Sequence, residues 1–362
     1  MMDRKTPGLK QPFQIESTDE LVDDGRNIDP GTGILSGEAA GQHPLATRND
    51  VALHSQAFPY VPSQQPSASP TYYDQPMLKT PTWIWSIPTY FYFGGVAGAS
   101  AALGAAAQVF APQPMQSLVV RSRWVSTAGS AVSAALLIHD LGRPERFLYM
   151  LRMFRVSSPM SMGSWILTTF STAMGGAAIL PLGPRFFRPL AYPLGLAGGV
   201  LGLGLAGYTG VLISQTAVPV WQMSYRTTPV LFLASGTAAA AAFFQFFQLN
   251  KQEEIAVERF GLMGKLTELM AAYILERDAS RLERTGRPLK KGFSGFLWQS
   301  AKVLTLAGIL LSLAPGKGRS KRIASGLIGT AASVCLRFGL FHAGKASARD
   351  PRASFLMQRA GM

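Results

Sequence analysis

Thiol and imidazole are nearly missing from this sequence, which has one cysteine, Cys335, and four histidines in 362 residues. One cysteine excludes an intrachain disulfide and any iron–sulfur cluster held by this chain alone. His43 and His54 fall in a polar N-terminal stretch, while His139 and His342 end two apolar segments. Two stacked hemes on paired histidines are therefore impossible within the apolar part, and no heme or metal is expected. Charge is scarce as well. Charged residues make up 15% of the chain, against roughly 25% in a soluble domain. The runs Trp83 to Phe110 and Leu190 to Ile213 contain no Asp, Glu, Lys or Arg. A bilayer core of about 30 Å takes roughly 20 apolar residues in a helix, and several segments reach that length. No single core in water could bury so many apolar helices. The expected fold class is an all-α membrane protein, with about eight transmembrane helices in two four-helix bundles.

The charge that is present is lopsided, with a formal net charge of +14. In a soluble protein that would suggest nucleic acid. Here Lys and Arg crowd into the short loops between apolar segments, where they flank lipid headgroups, and no nucleic-acid partner is expected. The opening residues lack the apolar segment of a cleavable signal, so the first apolar helix is expected to act as the insertion signal. Residues 1–80 read as a polar, largely extended arm rich in Pro, Ser, Gln and Asp. Residues 81–215 are expected to form the first bundle, 228–345 the second, and 346–362 a tail. The eight segments run from Trp83 to Phe110, Leu118 to His139, Gly163 to Leu180, Leu190 to Ile213, Pro229 to Leu249, Val257 to Leu275, Leu297 to Ala314, and Ile323 to His342. Lys265 and Glu268 interrupt the sixth; were it to lie flat on the membrane, the count would be seven. Gly94 and Gly98, and likewise Gly198 and Gly202, have the four-residue spacing that lets helices approach closely in lipid. Basic residues are spread over the loops of both faces, so the orientation of the termini stays open.

Alternating direction places four helix ends on one face: the start of the first, the end of the second, the start of the third and the end of the fourth. They carry Trp83, Trp85 and Tyr90; His139 and Asp140; Ser164 and Trp165; and Tyr208, Thr209 and Gln215. At ~1.5 Å per residue, Tyr208 lies about 7–8 Å inside that boundary. Hydroxyl, imidazole and carboxylate groups together at a membrane edge suit an amphipathic ligand with a polar, proton-exchanging head, such as a quinol. Each of these residues also has a plainer reading: Trp and Tyr as interfacial anchors, Arg143 and Arg146 as headgroup contacts, Tyr208 as a bond to a neighbouring helix.

Several motifs stand in a specific order. His139 to Leu151 reads HDLGRPERFLYML, Ser157 to Trp165 reads SSPMSMGSW, Phe93 to Ser100 reads FGGVAGAS, Tyr208 to Gly210 reads YTG, and His342 to Arg359 reads HAGKASARDPRASFLMQR. Over about residues 80 to 360 the chain resembles the NrfD family, the membrane subunits of polysulfide reductase, nitrite-reducing systems and related complexes. The resemblance implies an eight-helix subunit without heme or metal that exchanges electrons between the quinone pool and an iron–sulfur subunit docked on one face. It also implies a quinone site in the first bundle near that subunit, with Tyr208 beside the quinone head and Asp140, Arg143 and Pro144 in the DLGRP loop. One departure stands out. In the polysulfide reductase member an Asn and a His early in the first helix help hold the quinone, whereas this chain has Ser86, Thr89 and Tyr90 there.

The reading is a quinone-binding membrane subunit of a respiratory oxidoreductase in the bacterial cytoplasmic membrane. His139 and Asp140 are the candidates for proton exchange, and Tyr208, Thr209, Tyr90, Ser164, Trp165 and Arg143 for the quinone, whether menaquinone or ubiquinone. The rivals are a structural anchor of such a complex without a redox role and a secondary transporter. The latter would want an unpaired charge within the membrane, for which the sequence offers Lys265, Glu268, Lys302 and Arg337.

Overall fold

The computed structural model describes residues 78–143, 145–316 and 318–359. The expected N-terminal arm, but for its last few residues, and Pro144 lie outside them. Twelve α-helices and no strand run through the described residues. Eight of these helices are long: α1 (Ser86–Phe110), α2 (Gln116–Leu141), α4 (Pro159–Ile179), α5 (Ala191–Ser214), α7 (Thr227–Phe244), α8 (Lys251–Ala279), α10 (Gly292–Leu313) and α11 (Arg319–Ala348). Four short helices lie between or after them: α3 (Glu145–Arg152), α6 (Pro219–Met223), α9 (Glu283–Lys290) and α12 (Pro351–Arg359). Six long helices, α1, α4, α5, α7, α10 and α11, are long and apolar enough to cross a membrane. The protein is thus a multi-pass, all-α membrane protein. Helices α2 and α8 reach 26 and 29 residues but are more polar.

Side-chain neighbours fix the directions. Gly94 faces Ser133 and Gly104 faces Ser122, so α2 runs back along α1. Gly163 faces Tyr208 and Gly176 faces Leu194, so α5 runs back along α4. Gly264 lies against Ala234 and Ala238, and Thr227 donates to Asp278 at 3.4 Å, so α8 runs back along α7 rather than across it. Gly339 meets Trp298, while Gly308 meets Ile328, so α11 runs back along α10. In space α1, α2, α4 and α5 pack as one group and α7, α8, α10 and α11 as another, with α1 also packed on α7 and α11.

Small residues permit these approaches. A Cβ on Gly98 would strike the carbonyl of Gly202, and one on Gly202 would strike the carbonyl of Gly98. In lipid, where no hydrophobic drive separates helix from tail, such backbone-to-backbone packing supplies the attraction. Of the seven buried residues on α2, four are serines: Ser122, Ser126, Ser130 and Ser133. Ser126 Oγ donates to the Ala97 carbonyl of α1 at 2.9 Å. The polarity of α2 is therefore turned inward.

Chain stops follow local chemistry. The fifth segment ends at Phe244, short of the expected Leu249, because Asn250 opens α8 with a capping box: Asn250 Oδ1 accepts from the Glu253 amide, and Glu253 returns a bond to the Asn250 amide. Glu253 also accepts from the Leu118 amide at 2.7 Å and from Ser117 Oγ. One carboxylate thus satisfies the N-termini of both α2 and α8, where the helix dipoles favour negative charge.

Candidate functional site

The motif residues meet at the end of the molecule where α1 and α4 begin and α2 and α5 finish. In SSPMSMGSW each position has a local task. Ser158 caps α4 by accepting from the Ser161 amide at 3.4 Å, with Pro159 in the first helical turn. Ser161 Oγ donates to the Met153 carbonyl at 2.8 Å and accepts from the Arg155 amide at 3.1 Å, which fastens the preceding loop. Gly163 is the platform for Tyr208. A Cβ there would collide with Cε1, Cζ and Oη of the tyrosine ring, so only glycine leaves room. The Tyr208 side chain is consequently pressed onto the α4 backbone, 7% exposed. Its hydroxyl is buried and has no hydrogen bond of ordinary geometry.

Tyr90, 2% exposed, is close enough to Tyr208 for the two hydroxyls to interact electrostatically. The two tyrosines come from opposite directions along the chain. Tyr90 lies one turn inside the start of α1, and Tyr208 lies nearly two turns inside the end of α5. At ~1.5 Å per residue both sit about 6–9 Å below the helix ends.

In HDLGRP, Gly142 closes α2 in the left-handed conformation at φ 70°. Asp140 Oδ1 accepts from Ser86 Oγ at 3.0 Å and from the Ile84 amide at 3.4 Å, so it seats the first turn of α1. The exposed His139 ring packs on Trp85 at 5.9 Å. From the far end of the chain, Lys345 donates to the Trp83 carbonyl at 2.5 Å, and Trp83 stacks on Trp221 at 6.0 Å. Trp221 in turn donates to the Leu340 carbonyl at 2.9 Å and lies flat on Gly344. This Trp83–Trp221–Lys345 tie was not anticipated from sequence, although Lys345 and Gly344 sit within the HAGK motif.

The remaining expected residues are placed less directly. Ser164 Oγ donates to its own helix at Met160 (3.0 Å) and lies 3.4 Å from Met150 Sδ. Thr209 is fully buried and donates to the Ala206 carbonyl at 3.4 Å. The Trp165 ring meets Phe154 edge-on at 5.9 Å, with its indole N–H buried and unpartnered. Arg143 is exposed. No residue of helix α3 is fully buried: Leu148 (66% exposed) and Tyr149, with Phe154 and Val156 (73% exposed) of the loop after it, stand out beside Arg146, Arg152 and Arg155.

Two cavities lie away from these residues. One is an apolar groove of about 390 Å³ between α1, α2 and α7, with Arg121 and Trp124 along it. The other is a polar crevice at the starts of α8 and α11. Among the described residues no group of three or more His, Cys, Asp or Glu side chains gathers as a metal site would require.

The chain matches the family model described as polysulphide reductase, NrfD, over residues 75–344. It is also similar to the C subunit of the polysulfide reductase of Wolinella succinogenes, with 28% identity over 180 residues, covering 44% of this chain and 56% of that protein. The match thus spans little more than half the length of this relative.

Proposed function

The chain belongs to the NrfD family, and from that premise we propose that it is the quinone-binding membrane subunit of a multisubunit respiratory oxidoreductase. It exchanges electrons between the quinone pool and an iron–sulfur subunit, in a bacterial cytoplasmic membrane. The single observation that supports this most is the buried hydroxyl of Tyr208, which lies against the Gly163 backbone without a hydrogen bond of ordinary geometry. A buried polar group without a partner costs roughly 1–3 kcal/mol, and a ligand with an acceptor oxygen would relieve that cost. Tyr90 beside it offers a second hydroxyl in place of the Asn and His of the polysulfide reductase member.

All eight long helices cross the membrane in this reading. Helices α1, α4, α7 and α10 run one way, and α2, α5, α8 and α11 run back, the more polar α2 and α8 among them. Residues 81–215 then form the bundle with the quinone site, 228–345 the second bundle and 346–362 the tail. When bound, a quinone supplies two-electron, two-proton chemistry at its ring oxygens. Tyr208 would hold the head through a hydrogen bond from its hydroxyl, with the Tyr90 hydroxyl as a second holding group. Trp165, nearly two turns from the α4 start, offers its unpartnered indole N–H. Ser164 and Thr209, committed to their own helix carbonyls, shape the wall. Asp140 and His139, at the membrane edge, pass protons to and from water, and Arg143 adds positive charge at the exit.

Tyr208→Phe keeps the ring and removes the hydroxyl. Quinol-linked turnover of the assembled complex is expected to fall roughly ten- to a hundredfold, the equivalent of losing one hydrogen bond of roughly 1–3 kcal/mol. Normal assembly with unchanged turnover would remove Tyr208 from the site.

A further inference from the structure

The second group of helices holds an ionisable chain that the quinone reading does not use. Lys265 and Glu268 lie one turn apart on α8, 6% and 2% exposed, and Arg337 on α11 is fully buried. Helix α10 meets the first two with a polar stripe at helical spacing. Lys265 Nζ donates to the Gly308 carbonyl at 3.0 Å and to Ser312 Oγ at 2.9 Å. Glu268 Oε1 accepts from Thr305 Oγ1 at 2.6 Å. Arg337 donates to Ser235 Oγ of α7 at 2.8 Å and to Ser333 Oγ of its own helix. Its guanidinium also lies against Gly95, so the chain of polar groups ends on α1.

Two features separate this chain from a structural ion pair. First, opposite charges buried for stability close on each other, because the desolvation cost is offset only by direct contact and full hydrogen bonding. Glu268 and Arg337 feel each other electrostatically, yet no ion pair joins them among the described residues. Arg337 Nε and Nη2 are left buried without partners, and Glu268 Oε2 has only the Ser235 hydroxyl in reach. Polar atoms so placed are the ordinary sites of internal water. Second, Lys265 forms the floor of the polar crevice between α7, α8, α10 and α11, which is also lined by Gln245, Glu254, Glu258, Arg322 and Ser325. That crevice lies at the starts of α8 and α11, on the face opposite Tyr90 and Tyr208.

From this arrangement we propose that Glu268 is a proton-exchange site reached from the face opposite the tyrosines by way of Lys265. A proton passes from the Lys265 ammonium through an intervening water to the Glu268 carboxylate, leaving an amine and a carboxylic acid, and water in the crevice restores the proton to the amine. The reverse steps return it. Glu268 is faced by Lys265 on its own helix, Thr305 on α10, Ser235 on α7 and Arg337 on α11. The hydroxyls of Thr305 and Ser235 can donate to the carboxylate or accept from the acid, so both forms an exchanging group requires can be held. This role does not depend on quinone binding at Tyr208.

The test uses oriented, sealed membrane vesicles holding the full chain in the complex it forms. Dicyclohexylcarbodiimide condenses with protonated carboxyl groups in apolar surroundings, and mass spectrometry of the peptide bearing Glu268 reads the adduct. Labelling of Glu268 is expected, with severalfold loss when the pH is raised on the side of Glu258 and Arg322. Raising it on the other side should leave the label unchanged, and Glu268→Gln should remove the adduct from that peptide. An unlabelled Glu268, a label indifferent to pH, or one that follows the pH of the tyrosine face would each overturn the proposal.

Discussion

Tyr208 depends on Gly163 as much as on its own helix. The ring lies where a Cβ of residue 163 would be, so the substitution that tests the geometry is on α4. Gly163→Ala forces the buried ring to shift, and overpacking of this kind costs about 1–3 kcal/mol. We expect a lower unfolding temperature in detergent and reduced quinol-linked turnover. Gly175→Ala, on the same helix but facing open space, should change neither. Equal behaviour of the two variants would show that Tyr208 is not held by this contact. The tyrosine itself was legible in the sequence, from its depth inside the end of an apolar segment and from the YTG motif. Its partner glycine does not, since a glycine among many carries no mark of what lies against it.

Helix α1 is fixed at its start by elements distant in sequence. Asp140 accepts from Ser86 and Ile84, and Lys345 reaches the Trp83 carbonyl. Asp140 thus ties the entry of α1 to the end of α2, and it is also the candidate for proton exchange. The two roles separate by substitution. Asp140→Ala removes the acceptor of both bonds and should destabilise the protein by about 1–3 kcal/mol, as the loss of hydrogen bonds to a charged group does. Asp140→Asn keeps an acceptor oxygen and should cost less in stability. If Asp140 also moves protons, Asp140→Asn should depress turnover out of proportion to its effect on unfolding. Proportional losses in both assays would leave Asp140 as a structural tie alone. Helices α2 and α8 make a related point. Lys265 and Glu268 made the sixth segment the weaker candidate for membrane crossing, and both face α10, while the buried hydroxyls of α2 lie on its inner side. Mean hydropathy is blind to which side of a helix such groups occupy.

The two faces of the molecule differ in what they leave uncovered. On the face of Tyr90 and Tyr208, α3 and the loop after it present Arg146, Arg152 and Arg155 beside exposed Leu148, Tyr149, Phe154 and Val156. Exposed apolar groups ringed by arginine resemble a protein interface, since arginine makes bidentate contacts with carboxylates and backbone carbonyls. Electrons leaving a quinone near Tyr208 would have their shortest route through this face. Cross-linkers placed at Arg146 or Arg155 are expected to capture an iron–sulfur subunit, whereas those at Arg185 or Arg319, exposed on the opposite face, are not. Capture at the opposite face would move the site, the partner or both.

Composition and motif order were enough to establish a multi-pass helical membrane protein, the approximate limits of eight long helices and the family. Those properties follow from segment length against bilayer thickness and from residues adjacent in the chain. The same order placed Tyr90, His139, Asp140 and Tyr208 at one end, because alternating helices leave no other arrangement of their termini. What lies across from each side chain depended on packing between helices far apart in sequence. Ser164 and Thr209 turned to their own carbonyls because a hydroxyl in a helix bonds the preceding turn when no other partner is in reach. Gly163 beneath Tyr208, Asp140 on Ser86, Lys345 on Trp83, and the unclosed gap between Glu268 and Arg337 all join residues whose contact no local pattern encodes. Hydrophobicity sorts residues between lipid and interior, but the pairing of buried polar groups is set by three-dimensional proximity.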